Sequence, residues 1–125
     1  MKRIIASRGT GKSAQLLRMA IENKAAIAVP NRTIMSGYGT IALDMGINKE
    51  DIQETESCVV IKGVAVAPFP YFLDIRTLPF LARRRDLYID EIEMCMRNIL
   101  TSFSEFAGYT LSLEDPDFFK IGGKG

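Results

Sequence analysis

Apolar positions in this chain fall into short runs that alternate with helical stripes. Lys2-Arg3-Ile4-Ile5-Ala6 is a brief apolar run of the kind a buried strand needs. Over residues 13–24, Leu16, Leu17, Ala20 and Ile21 recur on one helical face. Ala25-Ala26-Ile27-Ala28-Val29 is a second buried-strand run, stopped by Pro30. Asn31 then caps a helix predicted from Arg32 to about Met45, with Ile34, Tyr38, Ile41 and Met45 on one face. Gly37 and Gly39 weaken this helix, and Gly46 ends it. Residues 48–57 are polar and read as loop or short helix. Cys58-Val59-Val60-Ile61 and Val64-Ala65-Val66-Ala67 read as strands turning at Lys62-Gly63, and Pro68 and Pro70 break the pattern. Residues 71–84 are apolar and partly helical, limited by Pro79.

Leu87-Tyr88-Ile89-Asp90-Glu91 is a further strand. Ile92, Cys95, Met96, Ile99, Leu100 and Phe103 follow as a helical stripe read as core. Residues 109–113 form a final strand candidate. Phe118, Phe119 and Ile121 precede a glycine-rich end read as a frayed tail. Strands that alternate with helices predict an α/β domain with a central, mostly parallel sheet of about five strands flanked by helices. Residues 1–117 are assigned to this domain and residues 118–125 to the tail.

Composition narrows the classes. A chain of 125 residues is one domain, and with 47% apolar residues it can fill a core. Sixteen basic against 15 acidic residues give a net charge of +1, so net charge offers no argument for nucleic acid. The sequence has no histidine, which excludes His-based acid–base chemistry and His metal ligation. Cys58 and Cys95 sit far apart in apolar contexts and are expected to be free thiols. The chain starts almost directly in its first strand and has no apolar run long enough to span a membrane. A reducing, intracellular setting is expected, without a membrane partner.

Between the first strand and the first helix lies Ala6-Ser7-Arg8-Gly9-Thr10-Gly11-Lys12-Ser13. It has the form A-x-x-x-x-G-K-S, the phosphate-binding loop signature with Ala in place of the first Gly. Gly9 and Gly11 let the backbone turn its N–H groups toward phosphate oxygens. Lys12 reaches the β- and γ-phosphates, Ser13 ligates Mg²⁺, and the following helix aims its positive end at the same anion. Leu87-Tyr88-Ile89-Asp90-Glu91 has the Walker B form, an apolar strand with acids at its C-terminal tip, where open α/β sheets place ligands. In this reading Asp90 holds Mg²⁺, and Glu91 orients and polarises the attacking water. The alternative is that Asp90-Glu91 only caps the next helix.

With both motifs in place, the chain resembles a minimal P-loop NTPase of the RecA, AAA and superfamily 1 helicase class. Its members carry a catalytic acid beside the Walker B Asp. The resemblance covers roughly residues 2–113, and only the two motifs are specific. It implies a three-layer P-loop fold, ATP and Mg²⁺ as ligands, and Lys12 and Glu91 as catalytic residues. Small size and motif layout are similar to short ATP-binding proteins of bacteriophages and prophages. That similarity implies an ATPase in phage-type DNA metabolism, in the cytoplasm of a bacterial cell or infected host. Val29-Pro30-Asn31-Arg32 matches weakly a segment that contacts single-stranded DNA in such helicases.

Helicases of this class have a second RecA-like domain, and these 125 residues are not expected to supply one. The resemblance therefore implies a homo-oligomer or a partner protein that supplies an arginine finger. Arg83, Arg84 and Arg85 are candidates for a finger or a phosphate contact, the alternative being a solvated basic turn. Arg8 is either a phosphate or neighbour contact or simply solvent-exposed, and Thr110 and Ser112 are sensor candidates. Two other functions stay open: a nucleoside or nucleotide kinase on the same loop, and a non-hydrolytic nucleotide-dependent adaptor. No N-K-x-D base-reading motif is present, which favours ATP over GTP.

Overall fold

The computed structural model describes residues 3–6, 11–73, 85–110 and 118–121. Strand β1 (Arg3–Ala6) is followed by helix α1 (Lys12–Asn23), strand β2 (Ala26–Val29) and helix α2 (Arg32–Asp44). A 3-10 turn at Lys49–Asp51 leads into β3 (Ile52–Glu54), β4 (Val59–Ile61) and β5 (Val64–Pro68). Helix α3 (Phe69–Leu73), strand β6 (Leu87–Ile89), helix α4 (Ile92–Ile99) and strand β7 (Phe118–Ile121) complete the order.

Five strands form one sheet in the order β3-β4-β5-β2-β6. Strand β2 lies parallel to both neighbours, with Ile27 opposite Val66 on one side and Tyr88 on the other. All four β2 residues are buried, as a strand with neighbours on both edges and both faces requires. The sheet is mixed rather than mostly parallel as expected, because β3–β4 and β4–β5 are antiparallel. The reason is local. Lys62 (φ 48°) and Gly63 (φ 81°) both take left-handed backbone, the two-residue turn that matches strand twist, and a two-residue turn joins only antiparallel strands.

Helices cover both faces, and side-chain size sorts the two layers. On one face Ile27, Val29, Val64 and Val66 pack with Leu17 and Ala20 of α1 and with Met35, Tyr38 and Ala42 of α2. On the other face Ala26 and Ala65 leave room for Phe72 of α3. The Ala/Val alternation of β2 and β5 is therefore a two-layer code written within fully buried strands. The Asn31 side chain accepts from the Ile34 N–H at 2.9 Å, which starts α2 as expected, and Gly46 (φ 89°) lies just beyond its end.

Several expectations do not hold. The polar stretch 48–57 contains edge strand β3 as well as a 3-10 turn. The stripe after Glu91 is only partly core. Helix α4 stops at Ile99 and buries Cys95, whereas Ile92 is 50% and Phe103 67% exposed, because a turn at Leu100 carries Phe103 out of the helical register. Tyr109 and Thr110 lie in no regular element, and the rest of that strand candidate is outside the described residues. Phe118–Ile121, read as tail, is strand β7 and pairs in parallel with β1, Arg3 opposite Phe118 and Ala6 opposite Ile121. Of the helix expected over residues 71–84, residues 71–73 belong to α3, and 74–84 fall outside the described residues. Among the described residues no helix is long and apolar enough to cross a membrane.

Candidate functional site

The site gathers where α1 begins and β6 ends. Gly11 is the N-cap of α1 with φ 79° and ψ 24°, left-handed backbone that a side chain would strain. Among the described residues no side chain caps this helix end, and no acid occupies its first turn, which suits the leading N–H groups to an anion. Lys12 and Ser13 are the first two helical residues. At the other side, the Asp90 N–H donates to the Ala28 carbonyl at 2.9 Å, which extends the β2–β6 ladder past Ile89 and fixes Asp90 at the strand tip.

Four groups meet there. Ser13 Oγ donates to Asp90 Oδ2 at 2.8 Å, and Tyr38 Oη donates to the same oxygen at 2.5 Å. Lys12 Nζ is ion-paired with Glu91 Oε1. Asp90 is 5% exposed, so its carboxylate depends on these donors in place of water. Lys12 and Glu91 are about one-quarter and one-third exposed, which makes their pair a weak, exchangeable one. Glu91 itself has φ 55° and ψ 60°, left-handed backbone that costs a non-glycine residue about 1–3 kcal/mol. It occupies the N-cap position of α4, yet its side chain makes no capping bond there and pairs with Lys12 instead.

Burial and the adjacent Asp90 carboxylate hold the Tyr38 phenol far above its ordinary range, so it stays a hydrogen-bond donor. Burial likewise pushes the Cys95 thiol up to about 11, with Asp90 and Glu91 adding to it. Cys95 Sγ donates to the Asp90 carbonyl at 3.4 Å. Both cysteines are free, as expected.

Of the loop residues, Gly11, Lys12 and Ser13 lie at this site and Ala6 ends β1, whereas Ser7, Arg8, Gly9 and Thr10 lie outside the described residues. Arg83, Arg84 and Ser112 are outside them as well. Arg85 does not face the site. Its guanidinium donates to the carbonyls of Gly63 at 3.2 Å and Lys24 at 3.4 Å, beside the start of β6 rather than its tip. Thr110 is exposed and lies in no strand. Pro30 and Asn31 follow the C-terminal end of β2, and the Pro30 carbonyl accepts from Asn98 Nδ2 at 2.8 Å.

Tyr38 is the site residue the sequence reading placed elsewhere, on the apolar face of α2. The available signal was the hydroxyl, because a fully buried tyrosine must give its O–H a partner. Among the described residues no group of three or more His, Cys, Asp or Glu side chains is placed to hold a metal. A cation here would rest on the Ser13 hydroxyl and the Asp90 carboxylate, hard oxygen donors that suit Mg²⁺. Comparison with protein-family models, curated proteins and solved structures finds no significant match.

Proposed function

We propose that this chain binds ATP with Mg²⁺ through residues 6–13 and Asp90 and hydrolyses it with the help of Glu91, as a small P-loop ATPase. The observation that supports this most strongly is one meeting of groups. A lysine and a serine at an uncapped helix start lie against two acids at a strand tip some eighty positions away, bonded pairwise. A simple helix cap needs no such cross-contact.

Each residue has a task in this reading. Loop amides and the α1 N-terminus take the phosphate charge. Lys12 exchanges Glu91 for a phosphate oxygen, which the weakness of an exposed ion pair permits. Ser13 and Asp90 would hold the metal. A Mg²⁺ held by Ser13 and Asp90 would supply positive charge to offset that developing on the phosphates. Glu91, released from Lys12, accepts a hydrogen bond from the attacking water and takes its proton at a carboxylate oxygen.

The resemblance extends the proposal to phage-type DNA metabolism, with an arginine supplied by a second copy or a partner. Arg85 is engaged by two backbone carbonyls, which leaves Arg83 and Arg84 as in-chain candidates for the donor subunit. Such a finger is worth about 10³–10⁵ in rate. Turnover by the isolated chain is therefore slow and rises with protein concentration or with single-stranded DNA.

The test is ATP turnover at varied Mg²⁺, protein and single-stranded DNA concentration for wild type, Lys12→Ala and Glu91→Gln. Metal-dependent phosphate release abolished by both substitutions is expected. Absence of nucleotide binding in the folded wild type overturns the proposal. Phosphate transfer to an added nucleoside, rather than to water, reassigns the site to a kinase.

A further inference from the structure

Tyr38 is fully buried in α2, yet its hydroxyl reaches across the core to Asp90 Oδ2 at 2.5 Å. Packing alone does not call for that group, since phenylalanine fills the same space without an O–H to satisfy. Two donors, Ser13 and Tyr38, converge on one carboxylate oxygen, and among the described residues Oδ1 of Asp90 has no hydrogen-bond partner. Ser13 is only half-buried, whereas the Tyr38 ring is enclosed by the core, which holds its O–H in place.

We propose that Tyr38 is a positioning residue for Asp90: its hydroxyl pins Oδ2, fixes the rotation of the carboxylate and keeps Oδ1 free for a divalent cation. The inference rests on the metal role proposed above for Asp90, and it gives α2 a part in the site. Tyr38 touches neither nucleotide nor water in this role. It acts through Asp90 alone, and it therefore governs the affinity for metal and leaves the Lys12 contact to phosphate untouched. Partners that orient a metal-binding carboxylate typically control affinity by about 10–100-fold.

The test uses Tyr38→Phe and needs no turnover. Thermal stability is followed with a non-hydrolysable ATP analogue across a Mn²⁺ or Mg²⁺ titration, alongside analogue affinity in EDTA. The variant is expected to raise the metal midpoint by about 10–100-fold with metal-free affinity unchanged. In an Asp90→Asn background, Tyr38→Phe is expected to add no further shift, because its route to the metal is gone. A lower melting temperature with an unmoved metal midpoint overturns the proposal and leaves Tyr38 a core residue. If wild type binds the analogue and shows no metal-dependent gain, the metal role of Asp90 falls, and this proposal with it. Should Tyr38→Phe not fold, wild-type protein labelled at tyrosine Cζ carries the test. The Tyr38 resonance, distinguished from those of Tyr71, Tyr88 and Tyr109 by their Phe variants, must move on metal loading; a stationary resonance overturns the proposal.

Discussion

Lys12 and Glu91 are each other's counter-ion. The lysine at the start of α1 and the acid at the tip of β6 neutralise one another across the mouth of the site. In the proposed function, an incoming phosphate would have to replace Glu91 at Lys12. The same exchange would free the Glu91 carboxylate, so that on the proposed reading anion binding and release of the acid are one event.

Glu91→Gln removes the competitor for Lys12. Nucleotide affinity is expected to stay equal or become tighter, while turnover falls by about 10²–10⁴-fold if Glu91 is the base. Calorimetric titration and single-turnover kinetics separate the two effects. Wild-type turnover in this variant removes the catalytic role from Glu91.

Lys12→Ala has the opposite profile. It is expected to abolish most of the melting-temperature gain given by ATP with Mg²⁺, which follows from linkage. In the absence of nucleotide its stability changes by less than about 1 kcal/mol, because the pair it breaks is partly solvated. A folded variant that keeps wild-type affinity would falsify the phosphate role.

Two glycines should respond with opposite signs to alanine. Gly63 sits at φ 81° in the β4–β5 turn with open space around its Cα, so Gly63→Ala carries only a conformational cost, about 1–2 kcal/mol. Gly37 lies inside α2 with ordinary backbone and open space, so Gly37→Ala is expected to stabilise by about 0.5–1 kcal/mol. Chemical denaturation of both variants checks the pair.

Alkaline pH is expected to weaken the fold in a defined window. The Cys95 thiol ionises near 9 when unfolded and at about 11 when folded, so the stability it contributes is complete below pH 9 and lost as pH rises through 11. Tyr38, raised by burial and Asp90, acts in the same direction from about pH 10 upward. Denaturation midpoints measured from pH 8 to 11 should fall, and Cys95→Ala should delay the onset. A flat profile would count against burial of both groups.

Much of the fold was written locally, and the remainder depended on distance along the chain. Leu16, Leu17 and Ala20 repeat at helical spacing, Asn31 carries its own cap, and Lys62-Gly63 announces its own turn, so α1, α2 and the hairpin could be read directly. Strand β3 could not, because an edge strand of three mostly exposed residues has no apolar alternation to show. Strand β7 was hidden for another reason: Phe118–Ile121 takes its meaning from β1, a partner that no local pattern identifies. Lys12, Ser13, Asp90 and Glu91 stood out as candidates through motif spacing, and the fold brings them together in pairs. Tyr38 did not, since an aromatic on an apolar stripe looks the same whether or not its hydroxyl has work to do. Arg85 looked like a spare cation until the fold placed two carbonyls against it.

The pairing of β1 with β7 has a consequence for the order of folding. Among the described residues, residues 3–6 find their parallel neighbour at residues 118–121, and parallel contacts at such separation form slowly, because the whole intervening chain must be closed into a loop. The β4–β5 hairpin and the β5-β2-β6 ribbon need no such wait. During synthesis, then, part of the sheet core can assemble while the strand that leads into the candidate phosphate loop still has an open edge. On the proposed function, nucleotide competence would appear late, once residues 118–121 are free to pair with β1. Released chains truncated before residue 118 should resist proteolysis over β2–β5 and yet fail to retain a fluorescent ATP analogue.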